Sequence, residues 1–322
     1  MRDILVEYIN WRQQLELALR SSRTANPVEL GSVEGVVFTG MGGSGIVGDA
    51  VAEYLKEAVE VPVAVVKSYR LPRYVKRGWL TVAISYSGNT LETIHAVKEA
   101  LRRGASVAAI TSGGRLLELA RELRLPYVVV TLGLLPRVAL PSLLAGTSAV
   151  LRDVLGVDLG LSNGLKVLED VSGAFKLSER LASFLMGGVP VFVATEELYP
   201  LALRAKNEFN ENAKLVSKVE VIPEWGHNDI VGWEGPLRGF KVVVFRYSSN
   251  HLADFAARYI AELGHEVEVV DVGRGSYIES FLYGSWVVGL ASVILGRSLG
   301  VDPSETKSIE VYKEFLTGLL RP

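Results

Sequence analysis

The chain has no cysteine in 322 residues, which removes disulfide bridges, thiolate metal sites and cysteine nucleophiles together. Histidine is nearly as scarce. The four histidines stand nowhere at metal-ligand spacing such as H-x-x-x-H, so no structural or catalytic metal is expected. Ser-His-Asp hydrolysis is not expected either. Charge of one sign is not in excess: 34 Lys and Arg face 36 Asp and Glu, for a net charge of -2. Without a basic run, a phosphate-tracking face for nucleic acid is not expected. Long apolar runs are limited to residues 280–296, uncharged between Glu279 and Arg297. That length sits at the lower limit for a bilayer span of roughly 17–25 residues, and Ser, Tyr and several Gly interrupt it. We expect a buried core or subunit-interface helix there and no membrane partner. Residues 1–20 alternate charged and apolar side chains at helical spacing, lacking the uncharged core of a signal peptide, and the expected location is cytoplasmic.

What is present is material for large cores. Hydrophobic residues make up 49% of the chain and charged residues 22%, and the mean hydropathy is +0.27, a balance that disfavours disorder. The length is about twice that of a typical domain, which suggests two domains or two similar halves. Short β-branched runs at residues 35–39, 62–66, 79–85, 105–111 and 127–132 alternate with amphipathic segments at 46–58, 90–103 and 116–123. Runs apolar on both faces suit parallel strands covered by helices. A helical stretch over 140–186, broken near Gly156 and Gly164, leads to a second series of strands at 189–195, 215–222, 241–246 and 266–271. Helices over 276–299 and 304–320 end the chain. The expected fold class is α/β: two doubly wound parallel-sheet units in tandem with a C-terminal helical segment, divided as residues 1–155 and 156–322.

An internal match supports duplication. Ser85-Tyr86-Ser87-Gly88-Asn89-Thr90-Leu91 and Arg246-Tyr247-Ser248-Ser249-Asn250-His251-Leu252 each follow a predicted strand, open a helix and share Tyr, Ser, Asn and Leu at matching offsets. In the first copy, Ser85, Ser87 and Thr90 are hydroxyl donors around a glycine at a helix start. The unpaired first-turn N–H groups and the helix dipole make such a place suitable for a phosphate dianion. Capping alone would use one or two of these residues, with Asn89 and Glu92 forming an N-cap signature. Arg246 and His251 replace Ser85 and Thr90 in the second copy, so one phosphate per chain is expected. Gly40, Gly42 and Gly45, in Thr39-Gly40-Met41-Gly42-Gly43-Ser44-Gly45, fit a G-x-G-x-x-G loop. Lys67-Ser68 stands where a dinucleotide site wants an acidic residue, so NAD is disfavoured; Lys67 would suit a 2′-phosphate, and otherwise the glycines serve tight packing.

Acid–base chemistry is suggested further on. Asn207, Glu211 and Lys214 share a helix face by their spacing, and His227 lies on a loop in Pro223-Glu224-Trp225-Gly226-His227-Asn228-Asp229. A carboxylate buried among amides is raised toward neutrality and suits proton abstraction beside a carbonyl, while a loop histidine can carry a second proton. The bland alternative is a solvated helix face and a turn histidine. Arg137 is a lone cation between apolar stretches after the fifth predicted strand, where open α/β sheets bind ligands. Lys307 opens the last predicted helix and by itself reads as a surface residue.

Together, Gly42-Gly43-Ser44-Gly45, Ser85-Tyr86-Ser87-Gly88-Asn89-Thr90, Asn210-Glu211-Asn212, His227-Asn228 and Lys307 resemble the SIS-domain sugar isomerases, and more narrowly the bifunctional phosphoglucose/phosphomannose isomerases of the archaeal type. The resemblance covers nearly the whole chain. It implies interconversion of glucose 6-phosphate and mannose 6-phosphate with fructose 6-phosphate, with neither metal nor cofactor. Gly43, Ser44, Ser85, Ser87 and Thr90 would hold the phosphate; Glu211 would move the proton between C1 and C2; Arg137 would stabilise the enediolate. His227 and Lys307 would assist ring opening, the histidine coming from the neighbouring subunit of a homodimer. The alternatives are a non-enzymatic sugar-phosphate sensor on the same fold and an NADP-dependent oxidoreductase using the glycine loop.

Overall fold

The computed structural model describes residues 3–30 and 32–319. Five parallel strands form the first sheet: β1 (Gly35–Thr39), β2 (Val63–Val66), β3 (Trp79–Ile84), β4 (Ser106–Thr111) and β5 (Tyr127–Val129), in the order β2-β1-β3-β4-β5. Four parallel strands form the second: β6 (Val189–Thr195), β7 (Lys218–Ile222), β8 (Phe240–Arg246) and β9 (Glu266–Asp271), in the order β7-β6-β8-β9. The second order reproduces β2-β1-β3-β4, so the internal match in sequence has a topological counterpart. Each sheet puts its first strand between its second and third, which sets a switch point beside the carboxyl ends of β1 and β6. β1 and β3 are buried along their whole length, as strands covered on both faces must be.

Helices α1 (Ile4–Ile9) and α2 (Trp11–Ser21) begin the described chain, and α3 (Gly42–Ala58), α4 (Leu91–Arg102), α5 (Gly114–Glu122) and α6 (Leu140–Leu155) flank the first sheet. The second series comprises α7 (Gly164–Val167), α8 (Val171–Leu185), α9 (Tyr199–Asn212), α10 (Asp229–Gly232) and α11 (His251–Glu262), followed by α12 (Tyr277–Ser298) and α13 (Lys307–Leu319). Four expected elements differ in their bounds. The N-terminal helical stretch is two helices turning at Asn10, its residues 1–2 lying outside the described residues. β5 ends at Val129 and β7 begins at Lys218, each shorter than its apolar run suggested. The final helix begins at Lys307, and residue 320, expected to end it, lies outside the described residues.

One hydrophobic core joins the halves. Phe38 and Ile46 of the first unit, Phe192 and Phe209 of the second, and Trp286 of α12 belong to a single buried cluster, and α3 packs directly on α9. α12 is the central post of this arrangement. It is long and apolar enough to cross a membrane, yet 89% of its most apolar window is buried inside the fold. Each large apolar side chain so buried stabilises by roughly 1.5–3 kcal/mol. A capping box starts the helix, with the Glu279 N–H donating to Ser276 Oγ at 3.3 Å and the Ser276 N–H to Glu279 Oε2 at 2.6 Å. The Trp286 indole donates to the Tyr8 carbonyl at 2.8 Å, tying α12 to α1.

Candidate active site

The hydroxyl-rich segment turns from the carboxyl end of β3 into α4. Ser85 Oγ donates to Thr90 Oγ1 at 3.0 Å. The Tyr86 N–H donates to Ser44 Oγ at 3.0 Å, which brings the first turn of α3 to the same loop. Ser87 is exposed and its Oγ accepts from the Asn89 N–H at 3.3 Å. The N-cap of α4 is Thr90, with no side-chain bond to its first turn. Asn89 is not the cap its sequence suggested: its Oδ1 accepts from the Arg115 N–H at 3.0 Å and serves the start of α5 instead. Among the described residues no side chain caps the first turn of α4, whose N–H groups keep the partial positive charge of a helix start. In the second copy, Asn250 does cap its own helix, accepting from Leu252 and Ala253 at 3.0 and 3.2 Å. Arg246 there is ion-paired to Asp254 and Asp271.

The glycine loop gives way to packing. Lys67, the candidate for a 2′-phosphate, is paired with Asp49 of α3. Gly43 is required for another reason. A Cβ on it would stand 3.0 Å from the Cα and 3.1 Å from the backbone N of Arg137, so glycine lets the start of α3 lie against the Arg137 backbone where a larger residue would push it back by a few tenths of an ångström.

Arg137 is 5% exposed and holds three partners in three directions. Nε donates to Asn212 Oδ1 at 2.7 Å, a terminal nitrogen donates to Glu211 Oε2 at 3.1 Å, and the other donates to the Pro303 carbonyl at 2.6 Å. A planar guanidinium suits such a fork. Of its five N–H groups, two keep no protein partner among the described residues; the guanidinium itself is buried behind Glu211 and does not line the cavity.

Glu211 lies on the last turn of α9 with its side chain 23% exposed. Burial is the first cause of its pKa being raised; Arg137 opposes that shift, the neighbouring Glu208 charge adds to it, and Arg204 and Lys214 also lower it. The carboxylate lines a cavity of about 400 Å³ whose near wall includes Asn207, Asn210 and Lys214, and whose far wall includes Glu305, Thr306 and Lys307. Asn207 and Glu211 share a helix face on the cavity wall as expected, whereas Lys214 reaches the same wall from beyond the end of α9, with its backbone in the left-handed region (φ +57°). Lys214 Nζ closes one end, donating to the carbonyls of Glu211, Asp302 and Glu305 at 2.6, 2.8 and 2.7 Å. Lys307 is 80% exposed and pairs with Glu305 at 3.1 Å.

The structure thus brings Glu211, Arg137 and Lys307 to one place and sets Gly43 against the arginine. Ser44, Ser85, Ser87 and Thr90 do not line the cavity; they lie together where β3 turns into α4, with Ser44 joined to that turn through Tyr86. His227 is not brought in by its own chain. It ends an exposed 3₁₀ turn, Glu224–His227, and does not line the cavity.

Sequence reasoning missed the layer beneath. Arg204 and Glu208 are each 1% exposed and paired at 2.6 Å. The Tyr8 hydroxyl donates to Glu208 Oε2 at 2.5 Å, and Arg204 donates to the Arg137 carbonyl at 2.9 Å. The signal was there as Arg204, Glu208 and Asn212 at spacings of four, one stripe along α9. Polar stripes usually face water; this one is covered by α1 and α12.

Two parallel sheets of one repeated order, sharing a core and flanking an arginine-held carboxylate, define a tandem SIS-domain protein. Residues 29–122 match the family model described as the SIS domain, and residues 176–316 match the bacterial phospho-glucose isomerase C-terminal SIS domain. A bifunctional phosphoglucose/phosphomannose isomerase of Aeropyrum pernix is 37% identical, covering 98% of both chains. One from Aquifex aeolicus is 34% identical, over 89% of this chain and 92% of that one. Among solved structures, a hypothetical protein from Thermus thermophilus superposes with a TM-score of 0.77 at 17% identity, covering 99% of this chain and 91% of that one. The chain belongs to the bifunctional phosphoglucose/phosphomannose isomerase family.

Proposed function

We propose that this protein interconverts glucose 6-phosphate and mannose 6-phosphate with fructose 6-phosphate through a cis-enediol(ate). The observation that carries this reading is the desolvated Glu211 carboxylate, its pKa raised by burial, held 3.1 Å from Arg137 at the edge of a cavity. An aldose and its ketose differ by one proton moved between adjacent carbons, with a second moved between their oxygens. That chemistry needs a base of near-neutral pKa and a cation at the developing oxyanion.

Each group has one task. The phosphate sits on the first turns of α3 and α4, held by Gly43, Ser44, Ser85, Ser87 and Thr90. Glu211 takes the proton from C2 of the open-chain aldose and returns it to C1, while the free N–H groups of Arg137 meet the enediolate oxygens. Lys307 and His227 move the protons of ring opening. Because His227 does not line the cavity of its own chain, a second copy supplies it, and the protein is a homodimer. The first unit, residues 1–155, holds phosphate; the second, residues 156–322, supplies the glutamate and histidine. The reaction needs neither metal nor cofactor, and the protein works in the cytoplasm without nucleic-acid or membrane partners.

Glu211→Gln tests the reading with the shape of the site kept. Titration with fructose 6-phosphate should show near-normal affinity, and a coupled assay should show no isomerisation. Turnover near that of the unmodified protein would reject Glu211 as the base.

A further inference from the structure

The hold on Arg137 runs into the interior of the protein. Asn212, the last residue of α9, is fully buried and uses both ends of its amide. Its carbonyl accepts from Arg137 Nε at 2.7 Å, and its NH₂ donates to Glu208 Oε2 at 2.8 Å and to Ser292 Oγ at 2.9 Å. Glu208 in turn accepts from the Tyr8 hydroxyl, and Ser292 donates to the Gly289 carbonyl at 2.8 Å within α12. The backbone is placed as firmly as the side chain. A Cβ on Gly296 would stand 2.3 Å from the Asn212 carbonyl oxygen, so glycine there lets α12 close on the end of α9.

The amide is oriented by every one of these partners. Flipping it would aim NH₂ at the Arg137 N–H and its carbonyl at the Glu208 carboxylate, leaving buried donors facing donors and acceptors facing acceptors. The other contacts of the guanidinium are less confining: Glu211 is the group that must exchange protons, and Pro303 belongs to the segment between α12 and α13.

We propose that Asn212 is a positioning residue for the reaction, clamping Nε of Arg137 to the α1–α9–α12 core so that the guanidinium stays in register with Glu211 and the enediolate. This role rests on the isomerase reading and deepens it. Asn212 touches no substrate in this scheme and acts through Arg137 alone.

Glu211 reports the state of that clamp. The charged groups around it are Arg137 from the loop before α6, Arg204 and Glu208 on its own helix, Lys214 beyond the helix end, and Glu305 and Lys307 across the cavity. Arg137 lowers its pKa, so an arginine that swings away lets it rise. Since the base must be ionised, the acid limb of the kcat/KM profile then moves to higher pH.

The test uses full-length Asn212→Ala, assayed with fructose 6-phosphate across pH, beside the unmodified protein and the near-isosteric Tyr8→Phe and Ser292→Ala. Asn212→Ala should lower kcat by about 10–100-fold, as loss of support for a first-contact group does, with KM within about twofold because the phosphate turn is untouched. Its acid limb should move up in pH. Should Asn212→Ala fail to fold, Tyr8→Phe and Ser292→Ala carry the test through a smaller shift in the same direction. An acid limb that stays in place in every folded variant overturns the positioning role, even where kcat falls. Unmodified protein that interconverts none of the three hexose phosphates overturns the isomerase reading itself, and this role with it.

Discussion

Arg137 shows how much one side chain can be asked to do. Its three protein partners lie in three directions at 2.6–3.1 Å, and a lysine could satisfy only one of them well, being a single point charge on a flexible stem. Arg137→Lys is therefore expected to behave nearly as badly as Arg137→Ala. Loss of one preorganised electrostatic donor costs roughly 3–4 kcal/mol of barrier, so kcat in the coupled assay should fall by about 10²–10³-fold for the alanine variant. A kcat within tenfold of normal would show that another group meets the oxyanion. The neighbouring glutamate gives a pH expectation whose sign is fixed. Burial, the dominant influence, holds the Glu211 pKa above the ordinary carboxylate range, and the deprotonated form is the base, so activity should be lost on acidification at a pH higher than an exposed glutamate would give. The acid limb of kcat/KM measures this directly.

At the scale of elements, the hydroxyl-rich turn and the Glu211 cavity are separate constructions, and Gly43, in the same first turn of α3 as Ser44, lies against the Arg137 backbone. Ser87 is exposed, and its only hydrogen bond among the described residues accepts from the Asn89 N–H, so Ser87→Ala should leave the fold intact. A hydrogen bond to a charged group contributes roughly 1.5–3 kcal/mol; KM for fructose 6-phosphate should rise about tenfold or more while kcat changes little. Equal KM values would remove Ser87 from the phosphate site. Gly43→Ala should do the opposite. A Cβ there meets the Arg137 backbone at 3.0 Å, so α3 or Arg137 must shift, and kcat should suffer more than KM.

The same division explains what was legible in the sequence. Strands of Val, Ile and Phe, and the Gly-Ser and Ser-x-Ser-Gly turns, are local patterns, and the alternation of strand and helix carried both sheets to within a few residues of their ends. β5 and β7 fell short because apolar side chains continue beyond the last strand hydrogen bond. The face shared by Asn207 and Glu211 was visible from helical spacing; Lys214 reaches it from past the helix end, in a left-handed turn that the spacing did not foresee. The burial of Arg204, Glu208 and Asn212 was not, since a stripe of charge and amide on α9 becomes interior only when α1 and α12 arrive from more than 70 residues away along the chain. Asn89 misled for a related reason: its side chain bonds to the neighbouring helix α5, a choice made by how two loops pack.

For the whole molecule, His227 is the residue that a single chain leaves out of place. One core joins the two halves and each sheet has a second cluster of its own, yet the fold leaves the histidine exposed on a turn after β7 while Glu211 faces the cavity beyond α9. If ring opening requires both, no single copy contains a complete site, and a two-fold dimer would contain two, each built from one copy's glutamate and the other's histidine. Two dead proteins should then make a live one. Glu211→Gln and His227→Ala, each inactive or nearly so as purified, are mixed, exchanged under mild denaturant and returned to buffer. Every mixed dimer holds one site with both native groups and one with neither, so a random equal mixture should recover about a quarter of normal activity. Recovery should vanish when the subunits are cross-linked before mixing. Failure to recover under conditions where subunit exchange is demonstrated by mass would mean that His227 serves its own chain, or serves no part of the reaction.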